Sequence, residues 1–462
     1  MFMSTESAGK LMDHALSLGA DFSELFIEKT NNQRLSVKNG EIHSLTGGID
    51  FGIGVRLIYG DEVLYAYLNS IKDNQVISVM NQLASNYKKE RRCSFNSLEL
   101  KSYNNQPSAI KPISDISLLD EKVGYLKKIS NISLDSSKKI TVAEAGVFQN
   151  NQKVEIFNSE GLHVTDDRHY CRLNSSVIAE DGNEKSTGFF GPGMLQGWEI
   201  NESYSPEEMS DMVVKQALTK LNAVACPGGK MPVVIGNAFG GVIFHEACGH
   251  LLETTSVQKK SSVFWDKMDQ IIANPVVNAV DDGTMKNEWG SINIDDEGMP
   301  VKRTQLIKDG KLVAFLSDRV GELKTGHKRT GSGRRESYRF APASRMRNTF
   351  IDKGDSSLDE MIQSIDHGIY CKHMGGGSVQ PGTGEFNFAA NESYLIEKGK
   401  ITTPLKSATL IGTGPDVLTK ISMVGNDLEL MAGMCGSVSG SVPVTVGQPA
   451  LKVDEILVGG QK

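Results

Sequence analysis

The alternation of hydrophobic and polar positions predicts a helix followed by antiparallel strands at the start of the chain. Apolar residues such as Leu11 and Ala15 recur at helical spacing, and this pattern stops at Gly19. Alternating segments follow, and Asn39 and Gly40 between two of them provide the positive φ angles of a two-residue hairpin turn. The region is therefore predicted to contain one helix and a sheet built from hairpins.

Helical spacing returns over 71–90 and 115–130, and again in the segment that ends at Cys226. Beyond Cys226 the pattern changes to short strands separated by glycine turns, including a hairpin around Asp309 and Gly310. These observations predict an α+β fold, in which a mixed N-terminal half with antiparallel hairpins precedes a β-rich C-terminal domain.

The change of pattern also predicts the domain organisation. We expect an N-terminal domain over 1–225, with a candidate sub-boundary in the polar stretch near 95–112, and a C-terminal domain over 226–462. The C-terminal domain is expected to carry a helix with metal-binding chemistry, because a strand, a turn and a helix are predicted in turn around residue 245.

Composition narrows the class of protein. The chain has 462 residues, 39% hydrophobic and 23% charged, which is typical of a soluble globular protein. A net charge of −7 argues against a general nucleic-acid binder, and no apolar run is long enough to span a membrane. Six scattered cysteines without a CxxC pair indicate reduced thiols, so we expect a cytoplasmic protein.

The stretch HEACGHLLE, which begins at His245, resembles a helical HExxH zinc motif with one additional residue. Histidines four apart diverge by about 40° around a helix, whereas histidines five apart diverge by about 140°. A π-type turn or a kink would bring His245 and His250 together, and Gly249 lowers its steric cost. Both imidazoles are then candidate zinc ligands, and Glu246 is the candidate general base.

A third ligand is needed, and Cys435 is the candidate because a thiolate bonds zinc well and glycines flank it at 433 and 436. The alternative is that Cys435 is a small buried hydrophobic residue. Cys248 could compete as a ligand or point into packing. Glu253 could accept a hydrogen bond from a ligand histidine, or be an ordinary surface glutamate.

Three blocks, GVIFHEACGHLLE, GSGRRESYRFAPASRMRNTFI and MCGSVSGSVPVTVGQPALKV, resemble the TldD/PmbA family and specifically its TldD-type metalloprotease members. GIGVRLIYG resembles the first family region, so the similarity covers nearly the whole chain. The resemblance implies a zinc peptidase in which His245, His250 and Cys435 hold the metal and Glu246 is the base. One departure is Leu251, where TldD-type sequences commonly carry a smaller residue.

The resemblance also implies substrates and partners. It suggests unfolded or leader-type peptides as substrates, and a dimer formed either with a second copy or with a PmbA/TldE-like paralogue that lacks the metal motif. The sequence does not choose between a homodimer and a heterodimer. The expected activity is that of an endopeptidase or a carboxypeptidase.

The segment from His327 to Arg345 is expected to lie beside the metal. Water attack on an amide creates an oxyanion, and a fixed donor that shares its charge increases the rate. His327, Tyr338 and Arg345 are the candidate donors and substrate-binding residues, and the alternative is that they pair with surface carboxylates.

The rival function is a non-catalytic regulatory or interaction protein, such as a PmbA-like partner or a gyrase or toxin modulator. Glu246 argues against it, because a binding module needs no base beside its metal. The sequence contains neither GxSxG, the nucleophile motif of α/β-hydrolases, nor GxxxxGK[ST], the phosphate-binding loop of nucleotide-binding proteins.

Overall fold

A computed structural model of the chain describes residues 1–87, 90–380, 382–406 and 408–460. The helices of the first half are α1 Thr5–Ser17, α2 Asp73–Leu83, α3 Leu119–Asp135 and α4 Pro206–Leu221. Its strands are β1 Phe22–Lys38, β2 Glu41–Tyr59, β3 Glu62–Leu68, β4 Glu99–Lys101, β5 Ile140–Asn158, β6 Leu162–Asp181, β7 Glu184–Phe190 and β8 Gly193–Met194. They form a sheet of order β3-β2-β1-β5-β6-β4, with β7 and β8 also paired to β6. Neighbours are antiparallel except β4 and β6, which are parallel.

The two faces of this first sheet have different partners, because successive side chains of a strand point to opposite sides. In β1, Leu25 and Ile27 are buried in a core with α1 and α2. Leu35, further along the same face, is buried in a core with α3. Phe26 faces the other way and packs with Tyr338 from the second half of the chain. One face therefore carries the helices, and the other contacts the C-terminal half.

The second half is richer in strands. Its helices are α5 Val242–Ala247, α6 Thr254–Val257, α7 Arg319–Thr325, α8 Leu358–Gln363 and α9 Gly414–Lys420. Its strands are β9 Val224–Ala225, β10 Gly229–Ile235, β11 Ala279–Asp282, β12 Arg303–Lys308, β13 Lys311–Leu312, β14 Gly333–Arg334, β15 Ala343–Ser344, β16 Asn348–Ile351, β17 His367–Gln380, β18 Glu385–Glu397, β19 Lys400–Lys406, β20 Thr409–Thr413, β21 Ile421–Val424, β22 Glu429–Ser437, β23 Gly440–Gln448 and β24 Leu451–Gly459.

These strands form a barrel and a second sheet. Strands β17, β10, β24, β20 and β18 are hydrogen-bonded in that order, and β18 pairs back with β17 to close the barrel. The second sheet has the order β13-β12-β11-β16-β23-β22, with β22 at its end. Helix α5 lies between the two, because it contacts β17 and β18 of the barrel and β16 and β23 of the second sheet.

A glycine makes this placement of α5 possible. Gly241 precedes the helix in a 3₁₀ turn over Ala238–Gly241. A Cβ atom at position 241 would lie 2.4 Å from the carbonyl oxygen of Gly447 in β23, so any larger residue would push the turn off the strand. The side chain of Asn237 does not cap this turn, since its amide donates to the carbonyl oxygen of Asp427.

The structure bears out the fold class and both predicted hairpin turns. Asn39 (φ 49°) and Gly40 (φ 79°) connect β1 to β2, and Asp309 (φ 48°) and Gly310 (φ 76°) connect β12 to β13. An α+β fold with a β-rich C-terminal half is confirmed.

Other predictions need adjustment or stay open. The helix predicted over 71–90 forms as α2 and a short 3₁₀ turn over Ala84–Asn86, and residues 88 and 89 lie outside the described residues. The division at residue 226 stays a prediction; the chain leaves the first sheet after β8 and joins the barrel sheet at β9. Within the part of the chain that the structure describes, every helix is too short or too polar to cross a membrane. The six cysteines are free thiols.

Candidate metal centre

Three side chains with metal-binding atoms meet where α5 approaches β22. His245 lies on α5, His250 on the 3₁₀ turn that follows, and Cys435 on β22. One donor atom from each lies within 4.8 Å of the other two. The Cys435 Sγ atom is 3.2 Å from His250 Nε2, and the two imidazole centroids are 5.3 Å apart. We call His245, His250 and Cys435 the metal cluster.

A break in the helix brings the two histidines together. Helix α5 ends at Ala247, and Cys248 has φ −128° and ψ −48°, which is outside the helical region. A 3₁₀ turn over Gly249–Leu252 then carries His250. The predicted kink is therefore present, but it is a break followed by a tighter turn and not a π-type turn. Cys248 itself is buried in the hydrophobic core, and burial raises the pKa of its thiol, so it packs and does not join the cluster.

Gly249 is needed for packing more than for backbone freedom. A Cβ atom at position 249 would lie 2.2 Å from the Sδ atom of Met346, a residue that is fully buried. The missing side chain lets the segment around Met346 approach the turn that carries His250. As a result, the backbone amide of Met346 reaches the side chain of Glu253, which follows His250 by three residues.

Glu253 orients His250. Its Oε2 atom is 3.1 Å from His250 Nδ1, and its Oε1 atom accepts a hydrogen bond of 3.2 Å from the Met346 amide. Glu253 is buried, so it is not a surface glutamate. The Arg345 Nε atom lies 4.0 Å from the same carboxylate. Because Nδ1 is held by Glu253, the Nε2 atom of His250 is the one that faces Cys435.

The electrostatics and burial of the cluster fit a soft divalent metal. His245 is 1% exposed, and neither of its ring nitrogens has a hydrogen-bond partner among the described residues. Burial raises the pKa of the Cys435 thiol, but His245 and His250 outweigh it and lower this pKa to about 3. The sulfur is therefore a thiolate at neutral pH, the form that bonds zinc. Buried polar atoms normally have a partner, and a metal ion would provide one for His245.

Glu246 lies at the open side of the cluster. Its carboxylate oxygen Oε2 is 3.7 Å from His250 Nε2, and 27% of its side chain is exposed. The other members of the helix, Ile243 and Phe244 among them, are buried in the hydrophobic core. The arrangement thus places one carboxylate, in contact with solvent, beside two imidazoles and a thiolate.

Of the three predicted donors, Arg345 is the one next to the cluster. It is fully buried, and it donates hydrogen bonds to the carbonyl oxygen of Cys435, to Gly440 O (2.8 Å) and to Ser439 Oγ (3.0 Å). These contacts fix the β22–β23 turn and the strand that carries Cys435. The guanidinium is thus in contact with the ligand strand and with Glu253.

Tyr338 and His327 have other partners. The Tyr338 hydroxyl has two acceptors within hydrogen-bond distance for its one hydrogen, Asp50 Oδ1 (3.1 Å) and Asn69 Oδ1 (3.0 Å), both in the first half of the chain. His327 packs against the ring of Phe315, and burial lowers its pKa. No contact of either with the metal cluster is found among the described residues, and their role as substrate donors stays a prediction.

Met346 is the part of the site that the sequence did not indicate. It follows Arg345 directly, and its amide and side chain contact Glu253 and Gly249. The sequence offers only its position beside Arg345 in the RMRN segment, because the approach of Met346 to Gly249 depends on tertiary packing.

Family models of known proteins match almost all of this chain. The three domains of the PmbA/TldA metallopeptidase match residues 23–85 (domain 1), 112–221 (central domain) and 228–460 (C-terminal domain). A Haemophilus influenzae protein named metalloprotease TldD homolog is 36% identical over 471 residues, which cover 99% of this chain and 97% of that protein. The chain belongs to the TldD/PmbA family of metallopeptidases.

More distant relatives agree with this assignment. A Saccharolobus solfataricus protein named zinc metalloprotease TldD homolog is 26% identical over 453 residues, covering 98% of this chain and 99% of that protein. Among solved structures, TldE from Thermococcus kodakarensis superimposes with a TM-score of 0.77 at 19% identity, covering 98% of this chain and 100% of that chain. A Thermotoga maritima protein proposed to modulate a DNA gyrase gives a TM-score of 0.79 at 21% identity, covering 98% and 99%. These two structures share the fold.

Proposed function

We propose that this chain is a zinc-dependent peptidase whose metal is held by His245, His250 and Cys435. The observation that carries the proposal is the metal cluster itself, in which three donor atoms from separate elements lie within 4.8 Å of one another. Two imidazoles and one thiolate form a donor set that suits zinc better than magnesium or calcium. The names of the Haemophilus and Saccharolobus relatives support the same class of enzyme.

Zinc bound there would lower the pKa of a coordinated water to about 7 and polarise the scissile carbonyl. The residues of the chain would do the rest. Glu246, which has contact with solvent and lies 3.7 Å from His250 Nε2, would accept the proton of the attacking water and return it to the leaving amine. Glu253 would keep His250 in the orientation that directs Nε2 at the metal.

Arg345 would act as a positioning residue for Cys435. Its guanidinium holds the carbonyl oxygen of Cys435 and two groups of the adjoining turn, so it fixes the distance from the thiolate to the histidines. Its buried hydrogen bonds are directed at the protein backbone, which leaves it less suited to binding an oxyanion than the sequence alone suggested.

We further propose unfolded or leader-type peptides as substrates, and a dimer as the working assembly. The TldE structure of Thermococcus kodakarensis shares the fold of this chain, which supports a TldE-type paralogue as one partner and a second copy of this chain as the other choice. Free thiols and the absence of a candidate membrane helix among the described residues agree with a cytoplasmic location.

The test combines metal analysis with a substrate mixture. The purified chain, alone and with a TldE-type paralogue, is incubated with a tryptic digest of a denatured protein, and products are identified by mass spectrometry. This readout also separates internal cleavage from removal of terminal residues. Glu246→Gln should keep one zinc per chain and lose about 10²- to 10⁴-fold in hydrolysis, the usual contribution of a general base. Glu385→Gln, an exposed strand residue, is the matched control.

Two results would contradict the proposal. If metal analysis of the purified protein finds no stoichiometric transition metal, the proposed zinc site is wrong. A chain that holds zinc but cleaves no peptide, with or without the paralogue, would favour the non-catalytic regulatory function instead.

A further inference from the structure

A small cavity lies between the first sheet and the β22–β23 hairpin. Its volume is about 200 Å³. Asn150 and Tyr170, which are paired across β5 and β6, line it from the first sheet. Met434 and Pro443, which are paired across β22 and β23, line it from the second half. Cavities between two halves of a protein are common places for ligands.

Arg334 on β14 is the unusual residue of this cavity. It is 3% exposed, and it makes no ion pair with any described residue. The one hydrogen bond of its guanidinium to a described residue runs from Nη1 to the carbonyl oxygen of Met346, at 2.8 Å. Burial lowers the pKa of this guanidinium, since no nearby carboxylate compensates fully for the lost solvent.

The other charged groups of the cavity are engaged elsewhere. Arg168 is paired with Asp166 and with Asp296 Oδ1 (2.7 Å). The second oxygen of Asp296 accepts the Arg335 amide (2.8 Å), and Glu336 accepts the Ser441 amide (2.7 Å). Arg335 is paired with Glu24, so the guanidinium of Arg334 is the cation of the cavity that makes no ion pair with a described residue.

Neutral polar groups beside Arg334 are also without partners. The Asn150 Oδ1 atom has no hydrogen-bond partner among the described residues. Tyr170 packs its ring against Trp289, and no hydrogen bond of its hydroxyl to a described residue is found. A buried cation and buried polar groups are costly unless they are paired, so such a group in a native protein calls for a ligand or an ordered water.

We propose that this cavity is a carboxylate-binding site, in which the Arg334 guanidinium pairs with the carboxylate and the Tyr170 hydroxyl donates a second hydrogen bond. Arginine is the side chain best suited to a carboxylate, because its planar fork donates two parallel hydrogen bonds. The volume admits one acidic side chain or one peptide C-terminus.

The cavity lies across the hairpin from the metal cluster. The Met434–Pro443 pair is adjacent to the Cys435–Val442 pair, and neighbouring residues of a strand face opposite sides. A carboxylate bound at Arg334 would thus lie on one face of the β22–β23 hairpin, and the Cys435 thiolate would lie on the opposite face. That a peptide supplies the carboxylate rests on the proposed peptidase function, whereas the site itself does not.

Calorimetric titration tests the site directly. The probes are N-acetylaspartate α-amide for an acidic side chain and N-acetylalanine for a peptide C-terminus, with N-acetylasparagine amide and N-acetylalanine amide as neutral counterparts. We expect one of the two carboxylates to bind and the neutral counterparts to bind at least about tenfold more weakly, as for loss of a charged hydrogen bond. The probe that binds more tightly shows whether the natural ligand is an acidic side chain or a peptide C-terminus.

Variants locate the bound carboxylate. Arg334→Met should weaken binding about tenfold or more, and Tyr170→Phe about two- to tenfold. Arg303→Met, an exposed arginine, is the control and should leave binding unchanged. Tyr170→Phe removes a single hydroxyl and keeps the test decisive if Arg334→Met fails to fold.

Cys435→Ser separates this site from the metal, which could also attract a carboxylate. Binding that persists in Cys435→Ser and is lost in Arg334→Met supports the proposal, even if no peptide is ever cleaved. Binding lost in Cys435→Ser and kept in Arg334→Met would place the carboxylate on the metal. That result, or no carboxylate binding at all, as expected if Arg334 contacts only water, would overturn the proposal.

Discussion

Two buried polar regions of this protein differ in how their groups are satisfied. In the first, which we call the charge network, Arg56 donates to Glu24 (2.6 Å) and Glu297 (2.7 Å), and Arg335 donates to Glu24 (2.5 Å). All four side chains are at most 1% exposed, and each charge has an opposite charge beside it. The second region is the metal cluster, where neither nitrogen of the buried His245 has a partner among the described residues.

The difference separates a structural role from a binding role. The charge network joins the first sheet to the second half, since Glu24 and Arg56 lie on β1 and β2 while Glu297 and Arg335 lie far along the chain. Every charge of the network is compensated within it, although the Nε atoms of Arg56 and Arg335 make no hydrogen bond to a described residue, so the network needs no further ion. The metal cluster instead leaves both ring nitrogens of the buried His245 without a hydrogen bond to a described residue, beside the sulfur of Cys435, and such a group of donor atoms is suited to a cation.

The largest effect should follow from removing a cluster histidine. His245→Ala should abolish stoichiometric zinc and lower peptide hydrolysis more than about 100-fold, because loss of an outer-shell partner alone costs 10- to 100-fold at such sites. The melting temperature measured with a chelator should fall by a few degrees, because the change removes a buried side chain and its contact with the His250 ring. Elemental analysis and thermal melting give both values.

His14→Ala is the matched control, because His14 is a half-buried residue of α1 that pairs with Asn81 in the first half of the chain. It should keep zinc and activity. A His245→Ala protein that retains a full zinc equivalent would show that the unpartnered nitrogens of His245 are not needed to hold the metal.

Breaking the charge network should affect stability and leave metal binding alone. Arg56→Met leaves Glu24 and Glu297 buried without their shared cation, and we expect a loss of about 3–5 kcal/mol in the free energy of unfolding. Zinc per folded chain should not change. Denaturant unfolding and elemental analysis of the folded fraction measure the two quantities.

The control for Arg56→Met is Arg303→Met. Arg303 pairs with Asp352 at 2.6 Å, but the two side chains are 47% and 29% exposed, so the change should cost less than about 1 kcal/mol. If the two variants lose the same free energy of unfolding, the burial of the charge network does not increase the cost of breaking it.

The metal cluster was more accessible to sequence reasoning than the charge network. His245, Glu246 and His250 lie within six positions, and their residue types already carry the chemistry. Cys435 is far away in the chain, and it became a strong candidate through its glycine-flanked motif and the family resemblance. The two hairpin turns were equally local, because an Asn-Gly or Asp-Gly pair fixes its own backbone.

The remaining features depend on contacts between distant segments. In alternating strands such as β1 and β2, Glu24 and Arg56 have the pattern of solvent-facing residues, and they are buried only because the C-terminal half covers that face. Likewise, the break at Cys248 in place of a π-type turn accompanies the packing of Met346 on Gly249. Periodicity shows which face of a strand is polar, but not what will cover it.

Glu253 tests the comparison at a residue that shares features of both regions. Both of its carboxylate oxygens have hydrogen-bond partners, and one of these partners is His250 of the metal cluster. Glu253→Gln keeps an acceptor for the Met346 amide but removes the charge that holds His250 Nδ1. Zinc affinity, measured by competition with a chelator, should weaken about 10- to 100-fold. Glu246→Gln should leave zinc affinity unchanged while hydrolysis is lost. If both variants bind zinc as the parent does, Glu253 has no orienting role.

The smallest effect concerns Asp318, an acid at the margin of the charge network. Its Oδ1 atom accepts the Gly321 amide at 2.9 Å and caps α7. Burial, together with the nearby charge of Glu297, raises the pKa of Asp318 from 3.8 to about 7. Between these two values the folded chain holds a proton that the unfolded chain has lost, so stability falls as the pH rises from about 4 to 7 and then levels off.

Asp318→Asn keeps the capping oxygen and removes the titration. We therefore expect the variant to gain about 1 to 2 kcal/mol over the parent when the pH is raised from 5 to 8, as measured from urea unfolding at both values. Asp269→Asn, on an exposed residue paired with Lys311, should show no such gain. A gap between Asp318→Asn and the parent that is the same at both pH values would mean that Asp318 is already ionised at pH 5. In that case Asp318 would be a third engaged acid beside Glu24 and Glu297, with its charge stabilised by Arg56 and by the Gly321 amide. The contrast between the charge network and His245, whose ring nitrogens have no partner among the described residues, would then be larger.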